Sequence, residues 1–218
     1  MVACVGLSTA RRPIGVLAKP LTLAGVSDFN GDHMADLLIR DTSTGKLSIW
    51  LMSGTDLIAR GNLTKTPACT CTLLGTRADG AIFWRATTGA PVVWLVHGFA
   101  VSKAVTLQKL PARWVSAGIG DFDGDGSADL LWRDSQTGQL LIWFLNDGAF
   151  VKGKEIGLLP AGMDVAITGD FDGDGKSDIL FSGGGKRTIW FMNGGAVKQK
   201  TDLPTLLPSA AVQAVSAE

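Results

Sequence analysis

Tyrosine is absent from these 218 residues, histidine occurs twice and cysteine three times. Each scarcity excludes something. His33 and His97 have no serine or cysteine motif near them, which leaves no material for a nucleophile–base pair. G-x-S-x-G, Walker A and H-E-x-x-H are all missing, so the chain reads as no enzyme. The three cysteines, with their Cys69-x-Cys71 pair, give no disulfide framework, zinc site or redox motif. They read as buried thiols, with a bridge from Cys4 to Cys69 or Cys71 as the alternative. No apolar run approaches the roughly 18 uncharged residues a membrane helix needs, although mean hydropathy is +0.24, so no membrane insertion is expected. Net charge is zero as well, 20 basic residues against 20 acidic ones. That balance excludes nucleic acid as a partner, because phosphate binding takes a basic excess.

What is present is a repeat, and at this length it decides the fold. Trp50, Trp94, Trp143 and Trp190 follow one another at intervals of 44, 49 and 47 residues. Gly45, Gly89 and Gly138 each close a Thr-Gly turn five residues before a tryptophan. The apolar residues come in short bursts (LSIWLM, VVWLV, LLIWFL, TIWFM) bounded by Gly, Asn, Asp or Thr, the pattern of strands and turns. In the third repeat the strands are WVSAGIG, ADLLWRD, QLLIWFLN and AFVKGKEIGLL. Leu141, Ile142, Trp143 and Phe144 make the inner strand apolar on both faces, which a sheet needs only when both faces are covered. Small four-stranded sheets stacked face to face meet that requirement, so the fold class is all-β, a β-propeller. The whole chain, 1–218, reads as one propeller domain with repeats at about 24–69, 70–113, 114–161 and 162–208. Residues 1–23 and 209–218 align with complementary pieces of a fifth blade. The Gly-rich stretch Ser182 to Arg187 reads as a shortened hairpin rather than a phosphate loop.

Between first and second strands, three repeats carry D-x-[DN]-x-D-x-x-x-D. The candidate metal ligands are Asp28, Asn30, Asp32 and Asp36; Asp121, Asp123, Asp125 and Asp129; and Asp170, Asp172, Asp174 and Asp178. Alternate carboxylates on a tight loop supply the hard oxygen ligands that Ca²⁺ prefers. Gly126 and Gly175 stand sixth in their loops, where a sharp turn is needed, but His33 holds that place in the first. The twelfth position, where an EF-hand needs Glu, holds Ile39, Trp132 and Phe181. The second repeat has Leu73, Gly75, Arg77 and Ala81 at the ligand positions and is expected to bind nothing. The expectation is two strong Ca²⁺ sites and a weaker one at Asp28–Asp36. These loops hold 11 of the 20 acids, so filling them leaves a cationic remainder.

DFDGDGSADLLWR, DFDGDGKSDILF and DFNGDHMADLLIR, each with its following Ile-Trp pair, resemble the FG-GAP/VCBS repeats of bacterial extracellular proteins, related to integrin α-subunit propellers. The resemblance covers about residues 24 to 208 and implies a propeller fold, Ca²⁺ in the loops between first and second strands, and a role in adhesion, recognition or sugar binding. The expected function is therefore an extracellular calcium-binding recognition module whose partner is a glycan or an extracellular protein. The alternative is a structural or self-assembling repeat with no small ligand. The opening residues MVACVGLSTARRP lack the order of a signal peptide, so secretion needs a signal outside this chain or another route. The recurring tryptophans read as packing between blades, whereas Trp114 has no counterpart and is the candidate platform for a sugar. A monomer closed within the chain is preferred over head-to-tail assembly.

Overall fold

The computed structural model describes residues 17–65, 71–77, 79–86 and 88–204. Among these residues there are strands and turns but no helix. The strands form four antiparallel four-stranded sheets, each ordered as in the chain. The first comprises β1 (Leu21–Ser27), β2 (Asp36–Asp41), β3 (Leu47–Ser53) and β4 (Asp56–Asn62). The second comprises β5 (Thr72–Thr76), β6 (Ala81–Arg85), β7 (Pro91–His97) and β8 (Ala100–Thr106). The third comprises β9 (Trp114–Gly120), β10 (Asp129–Asp134), β11 (Gln139–Asn146) and β12 (Ala149–Leu158). The fourth comprises β13 (Asp164–Gly169), β14 (Asp178–Gly183), β15 (Lys186–Asn193) and β16 (Ala196–Leu203). Each sheet is a blade, and the fold is that of a β-propeller.

The contacts gather into two compact units, Met1–Lys109 and Leu110–Glu218, with two blades in each. In the first blade β1 begins at Leu21, ahead of the expected repeat start at about residue 24. Of the expected fifth-blade pieces, residues 1–16 and 209–218 lie outside the described residues. Cys4 and Cys69 lie there too; Cys71 is buried and disulfide-bonded, so it is no free thiol.

Why the blades stack is visible in the first unit. Phe29, from the connection after β1, is 1% exposed in a core with Ile82, Trp84, Trp94 and Val96 of the next blade. Burying a side chain of that size stabilises by about 2–3 kcal/mol. Its carbonyl accepts the Gly98 N–H at 2.6 Å, and Thr76 Oγ1 donates to the Val26 carbonyl at 2.8 Å. The second unit repeats the arrangement with Phe122, which packs with Ile179, Phe181, Trp190 and Met192. The Phe122 carbonyl accepts the Gly194 N–H at 3.2 Å, and Thr168 Oγ1 donates to the Ile119 carbonyl at 2.6 Å. The innermost strands come close enough to require glycine: a Cβ on Gly118 would stand 2.6 Å from Thr168 Cγ2. The recurring tryptophans pair with the aromatic residue on the neighbouring strand, Trp84 with Trp94 and Trp132 with Trp143 at 5.4 Å, and Phe181 with Trp190 at 4.8 Å.

Candidate metal centres

Three connections carry the acidic motif, residues 28–35, 121–128 and 170–177, and each ends at the aspartate that opens the next strand. In all three the first aspartate winds the loop around its own carboxylate. Asp121 Oδ1 accepts the Gly124 N–H at 2.6 Å and Oδ2 accepts the Gly126 N–H at 2.9 Å. Asp170 does the same with Gly173 at 2.7 Å and Gly175 at 2.9 Å, and Asp28 with Gly31 at 2.7 Å and His33 at 2.8 Å. The fifth residue then caps the turn: Asp32, Asp125 and Asp174 accept the N–H of Met34, Ser127 and Lys176 at 2.8, 2.7 and 3.0 Å. Such winding places the sixth residue in the left-handed region, φ 86° at Gly126 and 83° at Gly175. His33 takes the same conformation at φ 65°, at a cost that glycine does not carry.

The ninth residue ties the loop to the blade. Asp129 is fully buried; its Oδ2 accepts the Phe122 N–H at 2.8 Å and its Oδ1 the Leu145 N–H at 2.9 Å. Asp36 bonds Phe29 and Met52 at 2.9 and 2.8 Å, and Asp178 bonds Phe171 and Met192 at 2.9 and 2.8 Å. These aspartates are therefore structural latches across to the third strand of each blade, whatever else they ligate.

Among the described residues, two groups of carboxylates converge. Asp121, Asp123 and Asp129 each offer an oxygen, and those atoms lie within 4.8 Å of one another; Asp170, Asp172 and Asp174 do likewise. Oxygens that hold Ca²⁺ at 2.3–2.6 Å are at most about 5 Å apart, so both groups have the dimensions of a calcium shell. Asp125 stays outside the first group, accepting Asn146 Nδ2 at 3.1 Å, and Asp178 stays outside the second with both oxygens on backbone N–H groups. Among the described residues, the three acids of the first loop, Asp28, Asp32 and Asp36, do not converge in this way, and Asn30 Nδ2 donates to Asp32 Oδ2 at 2.9 Å.

The third-blade group has the chemistry of a cation site. Asp123 Oδ1 is buried and has no hydrogen-bond partner, an arrangement that is costly for a carboxylate unless a cation completes it. Burial, with the charges of Asp123 and Asp121 adding to it, pushes the Asp129 carboxyl up to about 7 against the two N–H groups that favour its ionised form. Burial and the charge of Asp125 likewise raise Asp123, partly offset by Lys152. The fourth-blade loop differs. The Gly175 N–H leads the bonds that hold Asp170 below the usual carboxylate range, and its three converging aspartates are exposed. All-oxygen donor sets suit Ca²⁺ in both loops.

In the second blade the corresponding connection, residues 77–80, is half as long. Leu73 and Gly75 are not loop residues: they lie in β5 and pair with Trp84 and Phe83. Ala81 opens β6 where Asp36 opens β2. The connection is thus a shortened turn rather than a substituted loop. Trp114 corrects another expectation. It opens β9 and is 8% exposed, so it presents no ring face on which a sugar could stack.

Sequence reasoning missed the second residue of the motif. An apolar residue inside an acidic loop was the available signal: Phe29 and Phe122 are plugs for the next blade, while Phe171 is 43% exposed. It also missed Ser177, whose N–H donates to the Asp121 carbonyl at 2.6 Å and whose Oγ accepts the Asp121 N–H at 3.0 Å.

Residues 121–181, which span both converging groups, match the model of the FG-GAP-like repeat. No curated protein matches the chain in sequence. Among solved structures, it is similar to a post-proline cleaving enzyme from Rickettsia typhi, with a TM-score of 0.51 and 12% identity. That likeness covers 86% of this chain and 29% of the other, and it is one of fold alone. YCF48 from Cyanidioschyzon merolae aligns over 77% of this chain and 55% of its own at 12% identity, with a TM-score of 0.42, too loose to carry an argument.

Proposed function

We propose that this FG-GAP-like propeller module is a calcium-binding, non-catalytic part of an extracellular protein, and that it serves recognition or adhesion toward a glycan or protein partner. The observation that carries the calcium reading is the group Asp121, Asp123 and Asp129 with the orphaned, buried Asp123 Oδ1. A dication there would be held by Asp121 and Asp123, with Asp129 behind them, and would neutralise charges that otherwise repel one another. Its consequence is mechanical: the loop it fixes also bears Phe122, the plug of the next blade. The extracellular setting is supported by the disulfide at Cys71, a bond that persists in oxidising compartments.

Calcium bound only to the folded state stabilises it by about 2.7 kcal/mol per site at 100 times Kd. For a chain of this size that corresponds to a rise of roughly 5–10 °C in melting temperature per site. Thermal unfolding in EGTA and in millimolar Ca²⁺ checks it, and Asp123→Ala is expected to abolish the third-blade share while keeping the fold. Identical melting curves in the two media would sink the calcium reading.

A further inference from the structure

The two converging loops of the second unit share one motif but not one electrostatic neighbour. Lys198, in β16, places Nζ 3.1 Å from Asp172 Oδ2 and 3.8 Å from Asp174 Oδ2. Those are two of the three carboxylates of the fourth-blade group, so an ammonium already stands where a cation would be held. The third-blade loop has no ammonium at hydrogen-bond distance among the described residues. Its nearest ammonium, Lys152 Nζ, is 3.9 Å from Asp123 Oδ2, beyond hydrogen-bond range, and lies over the Phe144 ring at 4.7 Å.

Register makes the difference specific. Ala196 pairs with Asn193 and Ala149 with Asn146, so Lys198 of the fourth blade occupies the position of Val151 in the third. By the same count from Asp56 paired with Ser53, the first blade has Ile58 there. Among the three acidic blades, the fourth alone puts a charge at this bulge.

We propose that Lys198 is a built-in competitor for the cation of the 170–178 loop, so that the two loops of the second unit fill at different calcium concentrations, the 121–129 loop first. The proposal rests on the calcium reading above. Calcium must displace the lysine from Asp172 and Asp174, and a side chain that is 51% exposed can withdraw into water when it does.

Calcium titration of the full chain by isothermal calorimetry tests this. Lys198→Met keeps the aliphatic stem and removes the charge; it is expected to tighten the weaker class of sites about fivefold, the scale of one exposed ion pair. Lys198→Arg keeps the charge and is expected to match the wild type. Val151→Lys is expected to weaken the tighter class, and Asp172→Ala to abolish the response to Lys198→Met. Unchanged affinity in Lys198→Met, or Lys198→Arg binding as tightly as Lys198→Met, would overturn the competitor. Failure of the wild type and every variant to take up calcium would overturn the calcium reading beneath it, a result distinguishable from the others.

Discussion

The third- and fourth-blade loops, DFDGDGSAD and DFDGDGKSD, are nearly the same in sequence and fold the same way locally, yet the first begins with buried residues and the second with exposed ones. In the third blade the following blade covers Phe122 and pins Asp121 through Ser177, whereas Asp129 and its fourth-blade counterpart Asp178 are both fully buried. In the fourth blade Phe171 is 43% exposed and Asp170, Asp172 and Asp174 are exposed. The lesson is that the motif writes a loop, while its neighbour writes the loop's energetics. A further sign is position 167. Ile167 of β13 pairs with Leu180, as Gly118 of β9 pairs with Leu131, so the fourth blade has a bulky, 56% exposed residue where the third has the glycine that admits Thr168.

The largest break in this comparison comes from the phenylalanines. Phe122→Ala is expected to destabilise by about 3–5 kcal/mol, because it removes a buried ring and leaves a cavity between blades. Phe171→Ala should cost less than about 1 kcal/mol, since nearly half of that residue is already in water and no following blade among the described residues closes over it. Urea unfolding of the two variants measures both. Equal losses would mean that the loops are energetically alike and that the following blade is not what distinguishes them.

Acid sharpens the comparison by less. In EGTA, the folded Asp129 carboxyl, at about 7, lies above the ordinary value of 3.8. The folded state therefore holds a proton over that window which the unfolded chain has released. This group's contribution is most favourable below about pH 4 and is lost as pH rises through 7, at no more than about 1.4 kcal/mol per pH unit. Asp170 runs the other way: its carboxyl is depressed by the Gly175, Gly173 and Asp174 N–H groups, so its stabilisation is present above the ordinary value and disappears as pH falls through the folded one. Urea midpoints between pH 5 and 7.5 should fall more steeply with rising pH in the metal-free wild type than in Asp129→Asn. Parallel profiles would remove Asp129 from the account.

The smallest effect extends the comparison to the first loop. His33 sits at φ 65° where Gly126 sits at 86°. His33→Gly should gain about 0.5 kcal/mol, the relief of a left-handed side chain less the added freedom of the unfolded chain. Gly126→Ala, at the same position, should lose about 1 kcal/mol. Opposite signs by chemical denaturation are the expected result, and matching signs would show that φ is not the controlling variable.

Much of this was legible in the sequence. β9 and β11 of the third blade begin and end where the bursts WVSAGIG and QLLIWFLN do, because apolar runs and their turn residues are contiguous in the chain. The glycines at the sixth loop position announced a left-handed turn, which Gly126 and Gly175 take. In the second blade the alignment put Leu73 and Gly75 at loop positions although they lie in β5, since a deletion of loop residues looks like substitution when repeats are aligned by their tryptophans. Trp114 was misjudged because a residue without a counterpart looks unconstrained in the sequence, although its burial depends on distant contacts.

The sequence by itself determined the strands, the blades and the internal winding of each acidic loop, because every bond that winds a loop joins residues no more than seven apart, as Phe122 joins Asp129. Only the tertiary structure decided which loop meets a following blade and where an ammonium stands among the carboxylates. Those outcomes depend on groups brought from another strand or blade, Ser177 against Asp121 and Lys198 against Asp172, whose encounters are fixed by how blades pack rather than by any local preference of the chain.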